Sequence, residues 1–195
     1  MTTSGRIELM APAGNFESMQ AALDNGCDSI YFGVEQLNMR ARATVNFVLD
    51  DLPEIARRCN EKNVRTYLTL NTIIYDHDLS IVKTLLTKAK EAGITAVIAS
   101  DQAVIMTART IGMEVHISTQ LNVTNIETVK FYAMFADTIV LSRELSLRQV
   151  KKITEDIEKE QVKGPIGNLV EIEIFGHGAL CMAVSGKCYL SLHSH

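Results

Sequence analysis

The sequence predicts an α/β fold: a (β/α) barrel of the TIM type that is incomplete, with about six βα units and a seventh strand. Three observations support this prediction. Short runs rich in β-branched and aromatic residues alternate with longer amphipathic segments along the whole chain. Residues suited to left-handed helix caps stand between many of these segments. Polar residues follow nearly every short run, as they do at the carboxyl ends of barrel strands.

Seven short runs are predicted to be strands, and six amphipathic segments between them are predicted to be helices. Strands are expected at Ile7–Met10, Ser29–Phe32, Arg65–Leu70, Ala96–Ala99, Glu114–Ser118, Thr138–Leu141 and Val170–Phe175. Helices are expected at Phe16–Asn25, Leu52–Lys62, Leu79–Ala92, Gln102–Ile111, Ile126–Phe135 and Leu147–Glu158. This alternation implies right-handed βαβ units and therefore a parallel sheet.

The predicted helix ends carry signals of their own. Left-handed caps are expected at Gly26, Asn63, Gly93 and Gly112. Asp50 or Asp51, Asp78 and Asn125 stand where helix N-caps belong. These residues support the alternation of strands and helices independently of the apolar pattern.

The alternative to a barrel is an open, doubly wound sheet. No Gly-x-Gly-x-x-Gly follows the first strand, which argues against a dinucleotide-binding sheet. A barrel gathers its chemistry from several strand ends at one face. Residues 1–195 are therefore interpreted as one barrel domain that ends before the barrel closes, with open edges through which copies could form a homo-oligomer. The polar residues at the predicted strand ends are Pro12 and Gly14, Glu35 with Asn38, Asn71, Ser100 with Asp101, Gln120 with Asn122, Arg143 with Glu144, and His177.

The composition is that of an ordinary globular protein. The 195 residues are 47% hydrophobic and 22% charged, enough to bury a substantial core. A net charge of -4 argues against broad electrostatic attraction to nucleic acid or to an anionic membrane, although a local basic site stays open. No apolar run is long enough to cross a bilayer, and the first residues lack a signal-peptide pattern. We expect a cytoplasmic location, in which cysteines are thiols or metal ligands rather than disulfides.

Reactive side chains are concentrated near the end of the sequence. Between Glu173 and Ser191 the chain contains several glycines, a histidine, Cys181 and Cys188. The spacing of these two cysteines is wider than the Cys-x-x-Cys of a zinc or redox site, and two thiolates alone cannot complete a cluster. From spacing alone, metal ligands and buried free thiols both stay open. Cys27 and Cys59 are interpreted as structural thiols.

Two histidines and a carboxylate are candidates for chemistry. His177 stands between two glycines after the seventh strand, so its ring is expected to face the barrel mouth. His116 lies within a strand and is expected to be a core or barrel-lumen histidine. Glu173 alternates with Glu171, and one of the two is expected to point inward, where it needs a partner such as Arg143. Glu173 is therefore either a catalytic base or half of a structural ion pair.

Two arginines are candidates for binding an anion, and the absence of known motifs argues against serine hydrolysis. Arg40 and Arg42 lie in a loop after the second strand. Such a pair can bind a carboxylate or phosphate bidentately, or can simply be solvated. The sequence has no Gly-x-Ser-x-Gly elbow, no His-Glu-x-x-His and no P-loop, so hydrolysis by an activated serine has no motif to support it.

Several segments together resemble one known family. The segment 173–191 reads Glu-Ile-Phe-Gly-His-Gly-Ala-Leu-Cys-x₄-Gly-x-Cys-x-Leu-Ser, and segments 8–14 and 25–33 read Glu-Leu-Met-Ala-Pro-Ala-Gly and Asn-Gly-Cys-Asp-Ser-Ile-Tyr-Phe-Gly. Further segments are Asn38-Met-Arg40, Thr69-Leu-Asn71, Ser118-Thr-Gln120 and Leu141-Ser-Arg-Glu144. In this order, across essentially the whole chain, they resemble the collagenase-like peptidases of family U32.

The resemblance implies a cofactor. Members of this family resemble one another in a barrel whose four cysteines hold a [4Fe–4S] cluster. Cys181 and Cys188 match the first two of these ligands, and the other two are expected further along than residue 195. The chain alone is therefore expected to bind no cluster. The candidate catalytic residues, which stand at predicted strand ends or in the matching segments, are Glu173, His177, Arg40, Asn71 and Gln120.

The resemblance leaves two reactions open. The family is named for peptide hydrolysis, but many members resemble oxygen-independent hydroxylases of a tRNA wobble uridine, ribosomal RNA or a ubiquinone precursor, with prephenate as the proposed oxygen source. We favour an RNA hydroxylase over a peptidase, because no motif assembles an activated nucleophile or a metal-bound water. The expected partners are then RNA, or alternatively a peptide, and a prephenate-like small acid. A catalytically silent fragment is the third interpretation.

Overall fold

The computed structural model describes residues 7–34, 47–178 and 184–186. Its strands are β1 (Met10–Pro12), β2 (Ser29–Phe32), β3 (Arg65–Leu70), β4 (Ala96–Ala99), β5 (Glu114–Ile117), β6 (Thr138–Val140) and β7 (Glu171–Glu173). Its helices are α1 (Phe16–Asp24), α2 (Leu52–Glu61), α3 (Leu79–Ala92), α4 (Gln102–Thr110), α5 (Ile126–Ala133) and α6 (Leu147–Glu160). Short 3₁₀ turns occupy Leu49–Asp51, Asp76–Asp78 and Thr119–Leu121.

The seven strands form one parallel sheet in the sequential order β1 to β7. A doubly wound sheet would reverse its strand order at a switch point, so the sequential order confirms the predicted barrel geometry and excludes the open sheet. Within the described ranges, β1 and β7 each pair with a single strand. The barrel is therefore incomplete, as predicted.

Side chains alternate between the two faces of the sheet, and the outward face forms the main core. Every second residue of a strand packs between the sheet and the helices, where apolar side chains are almost fully buried. The inward face carries a smaller apolar cluster together with most of the polar side chains of the strands. Outward residues that are buried in this way are Ile30, Phe32, Leu68, Leu70, Val97, Ala99, Val115, Ile117, Ile139 and Leu141.

Left-handed residues end the helices or lie just beyond their ends, as predicted. Gly26, Asn63, Gly93 and Gly112 have φ angles of 78°, 56°, 87° and 72°. A glycine adopts this conformation without the steric cost that a Cβ brings, which explains its use at three of these four ends. Asn63 is the exception, and asparagine tolerates the left-handed region better than most residues.

The predicted N-caps act in two different ways. Asn125 caps α5 directly, since its Oδ1 accepts a hydrogen bond from the backbone N of Thr128 at 3.0 Å. Asp51 and Asp78 occupy the N-cap positions of α2 and α3, but their carboxylates do not bond to those helices. Each accepts a hydrogen bond from a backbone N three residues earlier and closes the 3₁₀ turn that leads into the helix.

The first strand lies further along the chain than predicted. The apolar run predicted a strand at Ile7–Met10, whereas β1 is Met10–Pro12 and pairs in register with Ser29–Tyr31. The ladder with β2 decides this position, because three residues of β1 must align with the partner strand. Residue Leu9 joins β2 through the Asp28 carboxylate, which accepts from the Leu9 backbone N at 2.9 Å.

The helices cover only the outer side of the sheet. The longest, α3 and α6, have 14 residues each and bury one stripe against the strands. In the part of the chain that the structure describes, no helix has both the length and the apolar character that a membrane crossing demands.

Leu86→Ala in α3 is expected to lower the free energy of unfolding by about 2–5 kcal/mol, because Leu86 is fully buried and its loss leaves a cavity. Ile81→Ala in the same helix is the matched control, since Ile81 is 51% exposed. Urea denaturation followed by circular dichroism measures both. Equal destabilisation by the two substitutions would contradict the placement of α3 on the sheet.

Candidate functional site

The carboxyl ends of β3 and β5 bring two predicted site residues together. Asn71 directly follows β3, and Gln120 lies in the 3₁₀ turn after β5. Asn71 Nδ2 donates to Ser118 Oγ at 3.4 Å, and the same oxygen accepts from the Gln120 backbone N at 3.3 Å. Ser118 is 1% exposed, so its hydroxyl is a fixed link between the two loops. The sequence placed Asn71 and Gln120 at one face, but it did not predict this link.

The described turn at residues 184–186 is anchored to the same end of the sheet. The Ser185 backbone N donates to a carboxylate oxygen of Glu144 at 2.7 Å. Ser185 Oγ accepts from the Arg143 backbone N at 3.3 Å and from Thr119 Oγ1 at 3.4 Å. Ser185 is 1% exposed and therefore joins the loop after β6 to the turn after β5. The hydrogen bond from the Ser185 backbone also lowers the pKa of Glu144.

Close packing at Gly186 explains why this turn contains a glycine. Gly186 has a φ of 72°, which disfavours a side chain. A Cβ at this position would also lie 2.6 Å from the carbonyl oxygen of Gln120. The backbone of Gly186 therefore packs against the backbone of Gln120 at a distance that leaves no room for a side chain.

The loops after β5 and β6 are also joined to each other. Asn122 adopts a left-handed conformation, and its Oδ1 accepts a hydrogen bond from Ser142 Oγ at 2.9 Å. The Ser142 backbone N donates to the Val123 carbonyl at 3.0 Å. The mouth of the half-barrel between β3 and β6 is thus one hydrogen-bonded unit.

Glu171 and Glu173 both lie on the inward face of β7. The expectation that only one of them points inward is wrong, because residues two apart in a strand share a face. Ile172 between them packs against the outer core. Glu173 is the last residue of β7, at the carboxyl end of the strand, and its side chain is 23% exposed.

The partner of Glu173 is His116 rather than Arg143. His116 Nδ1 lies 3.7 Å from Glu173 Oε2, and His116 Nε2 lies 3.2 Å from Glu114 Oε1. The His116 side chain is 4% exposed, which confirms the prediction of a histidine in the barrel lumen. The repeated pattern of Glu114, His116 and Ser118 on alternate positions was the signal in the sequence that could have placed all three on one face.

A tyrosine completes the lumen beneath this group. The Tyr67 ring lies 4.4 Å from the His116 ring between centroids, and Tyr67 is 1% exposed. Tyr67 Oη donates to Glu8 at 2.8 Å, and Glu8 also forms an ion pair with Arg65. Burial raises the pKa of Tyr67, so the phenol stays protonated and can donate.

The electrostatics of the lumen favour a charged His116. Burial alone disfavours the imidazolium, but the hydrogen bond with Glu114 and the negative charges of Glu114 and Glu173 outweigh it, and the pKa of His116 is raised. The hydrogen bond with His116 in turn lowers the pKa of Glu114. The two carboxylates therefore stabilise the protonated form of His116 relative to that of an ordinary histidine.

Of the remaining predicted site residues, the structure describes His177 only. His177 is exposed beyond β7 and makes no hydrogen bond or ion pair with the described residues. Nearby, the guanidinium of Arg143 lies 5.9 Å from the centre of the Phe175 ring. Arg40, Cys181 and Cys188 lie outside the described residues.

The two cysteines that the structure describes lie in the core. Cys27 and Cys59 are buried free thiols. Burial raises the pKa of Cys59 to about 11 and also raises that of Cys27, so neither forms a thiolate readily. Their positions agree with the structural role predicted for them. Within the described ranges, no three side chains of His, Cys, Asp and Glu form a metal-binding group.

The His116 cluster should make stability depend on pH. The raised pKa of His116 means that its contribution is complete below the ordinary histidine value of about 6.5 and is lost as pH rises through the folded value. The free energy of unfolding, measured in urea from about pH 5 to about pH 9, should fall at the alkaline end.

His116→Gln should remove this alkaline decrease, whereas His77→Gln should retain it. His77 is an exposed histidine, with its side chain 79% exposed, and is the matched control. An alkaline decrease of the same size in His116→Gln would show that another group is responsible.

Sequence comparison places the chain among known proteins. The model of the family described as Peptidase family U32 matches residues 14–195. A collagenase of Porphyromonas gingivalis is 55% identical over 97% of this chain and 46% of the relative. The tRNA hydroxylation protein P1 of Bacillus subtilis is 31% identical over 95% of this chain and 42% of the relative. The 23S rRNA 5-hydroxycytidine C2501 synthase of Escherichia coli is 33% identical over 97% of this chain and 27% of the relative.

Structural comparison agrees on the fold. A solved structure described as a U32 peptidase superposes with a TM-score of 0.64, covering 89% of this chain and 70% of the other, at 15% identity. That identity is too low to compare more than the architecture. The chain spans less than half the length of these curated relatives. The family model and the relatives together show that the chain belongs to peptidase family U32.

Proposed function

We propose that this chain is the barrel portion of an iron–sulfur hydroxylase that modifies tRNA or rRNA without using molecular oxygen. The observation that carries the proposal is the anchored turn at Ser185. Ser185 lies between Cys181 and Cys188 in the sequence, so covalent chain length keeps both Cα atoms within about 15 Å of it. The Ser185 hydroxyl accepts hydrogen bonds from the loops after β5 and β6, which fixes this point of the chain at the mouth that holds Asn71 and Gln120, and we expect both thiols to bind near it.

The available donors fit one half of a [4Fe–4S] site. Such a cluster is held by four thiolates. Cys27 and Cys59 do not qualify, because they are buried in the core and their raised pKa values disfavour the thiolate. Cys181 and Cys188 remain as the two ligands from this chain, and the other two would come from the rest of the protein. When bound, the cluster supplies electron-transfer chemistry.

The protein side chains would bind and orient the substrates. The amides of Asn71 and Gln120 can hydrogen-bond the edge of an unpaired base, and their link through Ser118 holds them in place. Arg40 would bind a phosphate or the carboxylates of a prephenate-like small acid. Glu173 would hold or move a proton at the mouth, and the exposed His177 is a second candidate for that role.

A peptidase is the second candidate, and the relative of P. gingivalis favours it. That protein is named collagenase and is 55% identical to this chain. The described hydroxyls do not support this reading, because Ser118 and Ser185 bond to amide, hydroxyl and backbone groups rather than to a histidine. The names of the RNA-modifying relatives support the first candidate.

Measurement of iron and of product separates the two candidates. The complete protein, produced without oxygen, should contain about four irons and four sulfides and absorb visible light. Cys181→Ala/Cys188→Ala should contain no iron. RNA from cells in which this variant replaces the wild-type protein should lack the hydroxylated nucleoside, as measured by mass spectrometry.

Cys27→Ala/Cys59→Ala is the control for this experiment and should retain its iron, because both thiols are structural. A wild-type protein that lacks iron, leaves RNA unmodified and cleaves gelatin would overturn the hydroxylase and support the peptidase.

Gly186→Ala should lower the iron content of the complete protein at least about tenfold, because the new Cβ would collide with the Gln120 carbonyl and displace the turn between the cysteines. Gly167→Ala is the matched control. Gly167 also has a left-handed φ, of 87°, but no atom lies within 4 Å of its added Cβ. Equal iron loss in the two variants would attribute the effect to backbone strain and not to the contact with Gln120.

A further inference from the structure

Four buried side-chain polar atoms of the described residues have no hydrogen-bond partner, and two of them face each other in an arrangement that the proposed function does not explain. His116 Nδ1 and Glu173 Oε2 are both buried, and neither has a hydrogen-bond partner among the described residues. They face each other at 3.7 Å, which is longer than a hydrogen bond and within the range of an ion pair. Since buried polar atoms are nearly always satisfied, this pair requires a reason.

The position of Glu173 supplies the first part of that reason. Glu171 is in register with Thr138, which is itself in register with His116. Glu173 follows two residues later at the end of β7, so it lies nearer the mouth than His116. Its side chain is 23% exposed, whereas that of His116 is 4% exposed. Glu173 is therefore the outer member of the pair and the one that a substrate at the mouth can reach.

The surroundings of His116 supply the second part. Glu114 holds Nε2 at 3.2 Å, and the Tyr67 ring lies against the imidazole from β3. Among the described residues, the other charged groups of the lumen are Arg65 and Glu8 near the Tyr67 hydroxyl, and Glu171 on the face of Glu173. With its far nitrogen and one ring face held, His116 presents Nδ1 toward Glu173 in a fixed direction.

We propose that His116 is a positioning residue that, oriented by Glu114 and Tyr67, holds the Glu173 carboxylate aimed at the barrel mouth. The ion pair with His116 fixes the direction of the carboxylate, and a fixed direction lowers the cost of orientation in the reaction. The proposal rests on the proposed site at the mouth and adds to it the group that orients its carboxylate.

Kinetics over a range of pH test this role in the complete protein. The wild-type rate should fall at alkaline pH as His116 loses its proton. His116→Gln should lower kcat about tenfold or more, leave KM for RNA within about twofold, and lack that alkaline limb. Glu114→Gln keeps the imidazole but removes one carboxylate, so its alkaline limb should move to lower pH. His77→Gln should behave as wild type.

A spectroscopic titration provides a readout that does not depend on activity. In protein labelled with ¹³C-histidine, the ring signal absent from His116→Gln identifies His116, and its titration should coincide with the alkaline limb of the wild-type rate. A ring that titrates below about 6.5 overturns the proposal, as does an unchanged pH profile in an active His116→Gln protein.

These measurements also separate this proposal from the proposed function. If the wild-type protein cleaves gelatin and leaves RNA unmodified, the hydroxylase fails, and the same pH profiles are then recorded on gelatin. A His116→Gln protein that loses rate equally at every pH would show a structural role only, and that result overturns the positioning role for either reaction.

Discussion

The alternation of side chains in seven parallel strands is the constraint on which the rest of the structure depends. Each strand must present apolar residues outward, because only the helices can cover that face. The inward positions are then released from the requirement to be apolar, and they carry Tyr67, His116 and Glu173. One periodicity of two residues therefore produces both the core and the polar lumen.

The lumen and the mouth are organised differently. In the lumen, ionisable groups are held by burial and by one another, so that His116 and its two carboxylates form a single charge unit. At the mouth, neutral hydroxyls of Ser118 and Ser185 join backbone and amide groups from loops far apart in the sequence. The charge unit of the lumen thus lies beneath this rim, where the Glu144 carboxylate accepts a hydrogen bond from the Ser185 backbone N, and Glu173 at the end of β7 lies between the two levels.

Local features were predictable from the sequence, and long-range partners were not. The left-handed ends at Gly93 and Gly112 follow from residue type alone, and so does the alternation of strands and helices. The start of β1 was missed because a ladder with β2, not an apolar run, determines it. The link between Thr119 and Ser185 joins residues 66 positions apart, which no local pattern encodes. His116 was placed correctly in the lumen, whereas its pairing with Glu173 required the register of three strands.

Among the described residues the sheet ends at β1 and β7, and Pro12 in β1 makes these two edges unequal. Consecutive backbone N–H groups of a strand point to opposite sides. Leu9 and Ala13 donate toward β2, so the N of Pro12 lies on the outer edge, where it has no hydrogen to donate. At the other end of the sheet, Glu171 donates toward β6, which turns the N–H of Ile172 outward and leaves it able to bond. A strand that joins this sheet, from the same chain or another copy, therefore finds a full template at β7 and a defective one at β1, which gives the growth of the sheet a direction.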